Sequence, residues 1–376
     1  MVFLCLKGVD FMNDEKWMLR AIELARKGEG TTTPNPLVGA VLIDEEERLV
    51  GEGWHHRAGE AHAEVNALLQ AGEKALGATA YVTLEPCSHY GRTGPCCEAL
   101  IQAGVKRVVV AIGDPNPKVA GNGIRRLREA GIEVTVGVLA KEAAAVNEVF
   151  LHWITTKKPF VALKYAMTLD GKIATSQRDS KWITGEEART YAHYLRRVYD
   201  AILVGKGTVL ADNPALTCRL VAGKNPIRIV LDTKLEIPLT SKVLNDGEAQ
   251  TIIVTGKDAP AERLVERENL KTVEVLQIGT PGGRLDLNEL LNTLGERKIT
   301  SILVEGGGDV HGSFFDYGFV ERVYAFIAPK IIGGKEALSP VGGIGSKSIA
   351  NGLGLNELET KVLGNDFLIT GRTVKG

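Results

Sequence analysis

His62-Ala63-Glu64 sets an imidazole and a carboxylate one residue apart, and Cys87 follows Glu64 by twenty-three residues within Glu85-Pro86-Cys87-Ser88-His89-Tyr90-Gly91-Arg92-Thr93-Gly94-Pro95-Cys96-Cys97. No other feature constrains the fold as much. One imidazole and two thiolates can hold a single metal ion only if distant parts of the chain are brought together. Three protein ligands on zinc leave a fourth position open for water, whose pKa then falls towards neutrality. Glu64 is not needed as a ligand and is available to move a proton. In a helix interior, positions i and i+2 do not share a face. The pair is therefore expected at a helix start, where the backbone is less constrained.

The Cys87 and Cys96 thiols are separated by eight residues, and Cys97 and His89 are rival ligands. Cys96 follows Pro95, which suits the first turn of a helix, and the partial positive charge there favours a thiolate. A His-x-Glu followed by Pro-Cys and a further cysteine is the pattern of zinc deaminases. In that chemistry hydroxide attacks a carbon bearing an exocyclic amine, and Glu64 passes the proton to departing ammonia. The competing reading is a structural zinc closed by Cys87, Cys96, Cys97 and either histidine, with the second half a non-catalytic nucleotide-binding module. A structural centre has no use for Glu64, so the catalytic reading stands first.

Length and composition fit a soluble enzyme. The chain has 376 residues, room for two domains, with 44% apolar residues and a formal net charge of −1. That balance marks neither disorder nor a polyanion-binding surface, so a deaminase of a tRNA base, which needs a basic groove, is disfavoured. A deaminase of free cytidine would leave the second half unexplained. No apolar run approaches the ~20 residues of a membrane span. The opening Met1-Val2-Phe3-Leu4-Cys5-Leu6 is too short for a signal peptide and lacks a basic leader. An odd cysteine count without such a leader points to a reducing compartment, and the cytoplasm is the expected location.

Helical and strand patterns alternate along the first half. Helices are expected over Trp17–Lys27, Ala63–Ala71, Cys97–Ala103, Gly123–Ala130 and Ala143–Trp153, with Gly104 ending the third. Strands are expected over Leu37–Ile43, Arg48–Gly51, Ala80–Leu84, Val105–Ile112 and Ile132–Val136. This alternation suits a layered sheet with covering helices. Thr155-Thr156-Lys157-Lys158-Pro159 reads as the linker. Beyond it, Pro159–Ala166 is strand-like and Asp170-Gly171 signals a hairpin or tight reversal. A helix should run from Glu186 to about Arg197. The strands Ala201–Val204 and Ser301–Val304 end in glycines, and a helix after the second should reach Phe315. Glycines between strand and helix let a backbone approach a phosphate, although Glu305-Gly306-Gly307-Gly308 is not a Rossmann fingerprint.

Several stretches now resemble one family: His62 to Leu68, Tyr81 through Cys97, Asp114-Pro115-Asn116-Pro117 and Pro34-Asn35-Pro36-Leu37-Val38-Gly39. They are similar to the bifunctional deaminase/reductases of riboflavin biosynthesis, and the likeness runs over nearly the whole chain from near Met12. Residues 1–11 then read as an extension or a misplaced start. Gly94 stands where that family typically has a second proline, implying a looser loop.

The resemblance implies a cytidine-deaminase-like α/β/α layered domain at 12–155 and a dihydrofolate-reductase-like α/β domain at 159–376. It implies one Zn2+ per chain on His62, Cys87 and Cys96, with Glu64 as proton shuttle. Asn35, Arg92, Asp114 and Asn116 would contact substrate there. In the second domain Leu169-Asp170-Gly171, Trp182-Ile183-Thr184, Asp212-Asn213-Pro214 and Glu305-Gly306-Gly307 carry the likeness. NADPH would be contacted by Ala166, Trp182, Thr208, Asp212 and the run Gly307, Gly308, Asp309, Val310, His311, Gly312 and Ser313. Substrate contacts would be Lys164, Ser180, Arg196, Leu216, Arg219 and Glu305, with Arg196 and Arg219 on the phosphate and Lys164 and Glu305 polarising or protonating the reacting carbonyl. The implied partner is a small pyrimidine ribosyl phosphate, with neither nucleic acid nor membrane, and the implied assembly is a homo-oligomer, dimer or tetramer.

Overall fold

The computed structural model describes residues 3–90, 94–116 and 120–374, with side chains from residue 13 onwards. The chain divides into two compact units, Met1–Lys157 and Lys158–Gly376.

The first unit is built on five strands: β1 (Gly39–Ile43), β2 (Leu49–Trp54), β3 (Thr79–Leu84), β4 (Arg107–Ile112) and β5 (Glu133–Val136). Their order is β2-β1-β3-β4-β5. β1 runs antiparallel to β2 and β3, whereas β3, β4 and β5 are parallel. Side chains alternate across β1 with period two, as a pleated strand requires. Ala40 and Leu42 enter a core with Ala63, Ala67, Cys97, Leu100 and Leu127, on the face covered by the helices Ala63–Ala71, Cys96–Gln102 and Asn122–Glu129. Val41 and Ile43 enter the opposite core with Met18, Ala21 and Leu24 of the helix Phe3–Arg26 and with Ala143. Each such buried Leu or Met contributes roughly 1.5–3 kcal/mol. Asp14 ties that long helix to the sheet through a two-fold ion pair with Arg107, both contacts at 2.8 Å, and accepts from the Tyr81 hydroxyl.

The first helix begins well before the expected Trp17, β2 runs on to Trp54 rather than ending at Gly51, and two further differences lie at the end of the first unit. The single helix expected over Ala143–Trp153 is two, Ala140–Val146 and Glu148–Thr156. The break is Asn147, whose buried amide accepts from Leu37 N at 2.9 Å and donates to Leu37 O at 2.8 Å. That tertiary pairing stands where the helix would otherwise continue. The second helix then takes up Thr155 and Thr156, both expected in the linker, because their hydroxyls donate back to carbonyls three and four residues earlier.

The second unit carries nine strands: β6 (Phe160–Thr168), β7 (Ala201–Gly205), β8 (Ile227–Leu231), β9 (Thr251–Gly256), β10 (Val273–Ile278), β11 (Ser301–Val304), β12 (Arg322–Ala328), β13 (Leu355–Leu363) and β14 (Asp366–Thr373). The order is β10-β9-β8-β7-β11-β6-β12-β14-β13. Pairing is parallel from β10 to β12, and β14 and β13 close the sheet antiparallel. β7 and β11 are buried throughout, as parallel strands covered on both faces must be. After β6 the chain reverses at Asp170-Gly171, where Gly171 has φ +74 and its N–H donates to Thr168 O. It does not return as a hairpin strand. Among the described residues it makes only an isolated bridge, Ala174 to Leu338. Among the described residues no helix is long and apolar enough to cross a membrane.

Candidate active sites

His62 is the N-cap of the helix Ala63–Ala71, with extended backbone (φ −76, ψ 166), and Glu64 lies in its first turn. That change of backbone between the two residues lets both side chains serve one place, which an i, i+2 pair inside a helix could not do. Cys87 follows β3 on a loop, and Cys96 opens the helix Cys96–Gln102 with Pro95 as its N-cap. The helix therefore starts one residue earlier than expected, with Pro95 outside it. His62 Nδ1 lies 3.2 Å from Cys96 Sγ and 3.6 Å from Cys87 Sγ. Edges of about 3.5–3.8 Å are what tetrahedral zinc with imidazole and thiolate ligands has. Of the rival ligands, Cys97 is fully buried in the core beneath the helix, and His89 lies outside the group of donor atoms that fall within 4.8 Å of one another.

The electrostatics match a site for a cation. A hydrogen bond with Cys96, aided by His62, holds the Cys87 thiol down at about 4, while the same bond and burial push Cys96 up. The hydrogen bond to Cys87 raises His62. Glu64 is 3% exposed, burial pushes its carboxyl up to about 7, and its Oε2 is buried without a hydrogen-bond partner. Such an orphaned oxygen costs free energy unless a ligand uses it. The donor set and this oxygen together fit zinc.

Around this cluster stand the other first-unit residues. Asn35 Nδ2 donates to His55 Nε2 at 3.1 Å, and His55 Nδ1 donates to Ala61 O at 3.1 Å. His55 is 2% exposed and packs edge-on against His62, ring centroids 5.2 Å apart. It links Asn35 to His62 and was missed from the sequence, where Trp54-His55-His56 gives no spacing signal. Asp114 Oδ1 accepts from Asn116 N at 2.8 Å, and burial raises the Asp114 carboxyl. Arg92 lies outside the described residues.

In the second unit, β11 pairs with β6 as far as Val304 and Leu163, so Glu305 and Lys164 emerge side by side at the carboxyl end of the sheet. This is where open α/β sheets bind ligands. Glu305 accepts from Arg196 Nε at 2.7 Å and Nη2 at 2.8 Å, and lies 3.5 Å from Lys164 Nζ. Burial pushes the Glu305 carboxyl up, but Arg196 and Lys164 outweigh it and hold it at about 2. Arg196 also donates to Thr217 O. The guanidinium that the resemblance assigns to phosphate is thus committed to Glu305 and a carbonyl. Arg219 is exposed and Leu216 is buried with φ +53.

The remaining second-unit residues divide into two groups. Gly307 N donates to Thr208 Oγ1 at 3.2 Å, joining the two glycine-bearing strand ends. Trp182 is exposed with its ring 4.8 Å from the Arg189 guanidinium, and Asp212 pairs with Lys181 at 3.1 Å. Ala166 lies on β6, and Ser180 is half-buried. In the helix Gly308–Asp316, Gly312 faces the protein itself, since a Cβ there would sit 2.3 Å from Gly342 C. His311 is buried with Nδ1 2.8 Å from Pro340 O and Nε2 3.2 Å from Val304 O. Asp309, Val310 and Ser313 share this helix.

The amino-terminal residues 12–112 match the model of the cytidine and deoxycytidylate deaminase zinc-binding region, and residues 159–369 match the RibD C-terminal domain. Riboflavin biosynthesis protein RibD of Aquifex aeolicus is 50% identical over 358 residues, covering 95% of this chain and 97% of that one. The chain belongs to the RibD family. The solved RibD structure from Acinetobacter baumannii is 38% identical with a TM-score of 0.84, covering 97% of this chain and all of that one. A Thermotoga maritima structure, a diaminohydroxyphosphoribosylaminopyrimidine deaminase/5-amino-6-(5-phosphoribosylamino)uracil reductase, is 40% identical with a TM-score of 0.84, covering 97% and 100%. RibD chains join a cytidine-deaminase-like domain to a dihydrofolate-reductase-like one, and this chain is a bifunctional deaminase and reductase of riboflavin biosynthesis with zinc and NADPH as cofactors.

His193, one helical turn before Arg196, was not singled out from the sequence. It is 5% exposed, and its Nδ1 is buried without a hydrogen-bond partner. Burial, then Arg196 and Arg219, lower it from 6.5 to about 4. A histidine depressed in the folded state favours folding fully above its unfolded pKa and loses that contribution as pH falls towards the folded one. Unfolding by denaturant should therefore become easier from pH 6.5 down to about 4. His193→Gln should remove on the order of 1–3 kcal/mol of that loss. Equal pH dependence in variant and parent would show that other groups carry it.

Proposed function

We propose that the first unit hydrolyses the 2-amino group of 2,5-diamino-6-ribosylamino-4(3H)-pyrimidinone 5′-phosphate. The second unit would then reduce the ribosyl group of the product to ribityl, giving 5-amino-6-(5-phosphoribitylamino)uracil. The observation that carries this reading is the orphaned Glu64 oxygen beside the donor set His62, Cys87 and Cys96. When bound, zinc supplies the Lewis acidity that makes water nucleophilic at neutral pH. Glu64 takes the proton from the attacking water and delivers it to the amine, which leaves as ammonia while a C–O bond replaces the C–N bond. Asn35, Asp114, Asn116 and Arg92 hold the pyrimidine ribosyl phosphate, and His55 fixes Asn35. When bound in the second unit, NADPH would supply the hydride for C1′. Lys164, held by Glu305, gives a proton to the oxygen released from that carbon, and Arg219 faces the phosphate. Ala166, Trp182, Thr208, Asp212, Gly307, Gly308, Asp309 and Ser313 border the nucleotide, while Val310, His311 and Gly312 hold that helix start from the protein side.

A homo-oligomer, dimer or tetramer, in the cytoplasm completes the reading. It is supported by the outermost strand β13, where Leu358 and Val362 are 61% and 68% exposed, and by the free cysteines Cys87, Cys96, Cys97 and Cys218. Ammonia release and NADPH oxidation measured on one sample test the order of the two reactions. Ammonia should appear without NADPH, and oxidation should follow once NADPH is added. Stripping zinc with a chelator should abolish ammonia release yet spare oxidation when the deaminated compound is supplied. No ammonia from the zinc-loaded enzyme would overturn the deaminase assignment, and ammonia release that survives complete zinc removal would overturn the zinc-dependent mechanism.

A further inference from the structure

The Glu85 carboxylate is 4% exposed, and no step of the chemistry above uses it. It is nevertheless among the most heavily bonded acids in the first unit. Oε2 accepts from Asp114 N at 3.2 Å and Gly121 N at 3.0 Å, while Oε1 accepts from Gly123 N at 2.9 Å and Ile124 N at 3.2 Å. The last three donors are the N-cap and early residues of the helix Asn122–Glu129, whose N-cap Gly121 has no side chain to cap it. Helix starts leave such N–H groups unpaired and favour negative charge. Glu85, at the end of β3, supplies both from a distant part of the chain. Space for the contact is made by Gly123, where a Cβ would stand 1.9 Å from Pro86 O. Any larger residue would push the helix start away from Glu85.

The fourth donor extends the effect beyond capping. Asp114 N is bound to the same oxygen as Gly121 N, so one carboxylate pins Asp114 to the helix start. Asp114 in turn holds Asn116 through its Oδ1. We propose that Glu85 is a positioning residue for deamination, its carboxylate clasping Asp114 to the start of the helix Asn122–Glu129 and thereby setting where Asp114 and Asn116 meet the pyrimidine substrate. This rests on the reading that Asp114 and Asn116 touch substrate.

Glu85→Gln keeps the shape but offers one acceptor oxygen, so its NH2 faces two of the four backbone donors. Because the affected contacts hold substrate in ground and transition states alike, the loss should fall on KM. With full-length, zinc-loaded enzyme and the diaminopyrimidinone ribosyl phosphate, KM for ammonia release should rise about tenfold or more while kcat stays within about threefold. Zinc content and NADPH oxidation of the deaminated product should match the parent. An unchanged KM, or lost zinc with collapsed kcat at constant KM, would overturn the proposal, the latter because Glu85 would then serve the neighbouring metal turn. Asn116→Ala tests the underlying reading separately. If it leaves KM unchanged, the substrate assignment fails and this proposal with it. If it raises KM while Glu85→Gln does not, only Glu85's role fails. Should Glu85→Gln not fold, Gly123→Ala breaks the same clasp from the helix side and must show the same division between KM and kcat.

Discussion

Replacing Glu64 with glutamine is expected to lower kcat for ammonia release by about 10²–10⁴-fold, the usual contribution of a positioned general acid–base group. Zinc should remain, because the donor atoms that lie together belong to His62, Cys87 and Cys96. The carboxylate is buried with one oxygen unpartnered, and burial raises its affinity for protons into the range a shuttle needs. Glutamine preserves the shape and can still hydrogen-bond, but it cannot accept a proton from water and release it to the amine. Reduction of the deaminated product should proceed as in the parent. Metal analysis beside the kinetics separates the possibilities. If zinc is lost together with activity, Glu64 belongs to the metal site's architecture and the shuttle role fails.

The second large effect is expected at Arg196. Arg196→Ala leaves the Glu305 carboxylate buried with Lys164 at 3.5 Å as its remaining ionic partner. Breaking a buried pair from one side costs about 3–5 kcal/mol, which denaturant unfolding of the second unit would register. NADPH oxidation should fall by about 10²-fold or more, since displacing a group near the chemistry carries such a penalty. The pairing also has a pH signature. The folded Glu305 carboxyl titrates near 2 rather than 4.5, so its contribution is fully present above 4.5 and is lost as pH falls through 2. The double variant Arg196→Met with Glu305→Leu should regain much of the stability, because an apolar pair avoids desolvation, yet it should not regain reduction. Recovered activity in that variant would show that the pair is architectural.

Legibility from sequence followed the range of the interactions. Local periodicity located the helix at Ala63–Ala71 to the residue and the strands β3 and β4 within two residues. The strands β8, β9, β10, β12, β13 and β14 were not read at all. The longest of them, β13, is exposed along almost its whole length and takes its identity from its neighbour in the sheet rather than from an apolar pattern of its own. The break at Asn147 was invisible for the same reason, since its partner is Leu37.

The chemistry-bearing residues of the metal site were legible because imidazole, thiolate and carboxylate at that spacing have few other uses. The sequence by itself thus determined the reaction class of the first unit, the layered α/β character of both, and the family. It left Cys96, Cys97 and His89 in competition. Only the tertiary structure brings the Cys96 thiol beside His62 and Cys87, because the helix that begins there turns Cys97 into the core. Likewise only packing revealed that Arg196 is spent on Glu305, that His55 joins Asn35 to His62, and that Glu85 clasps the helix at Asn122. These pairings bridge from 7 to 109 residues of chain. A hydrogen bond requires groups to meet within about 3 Å, and no local pattern encodes that meeting.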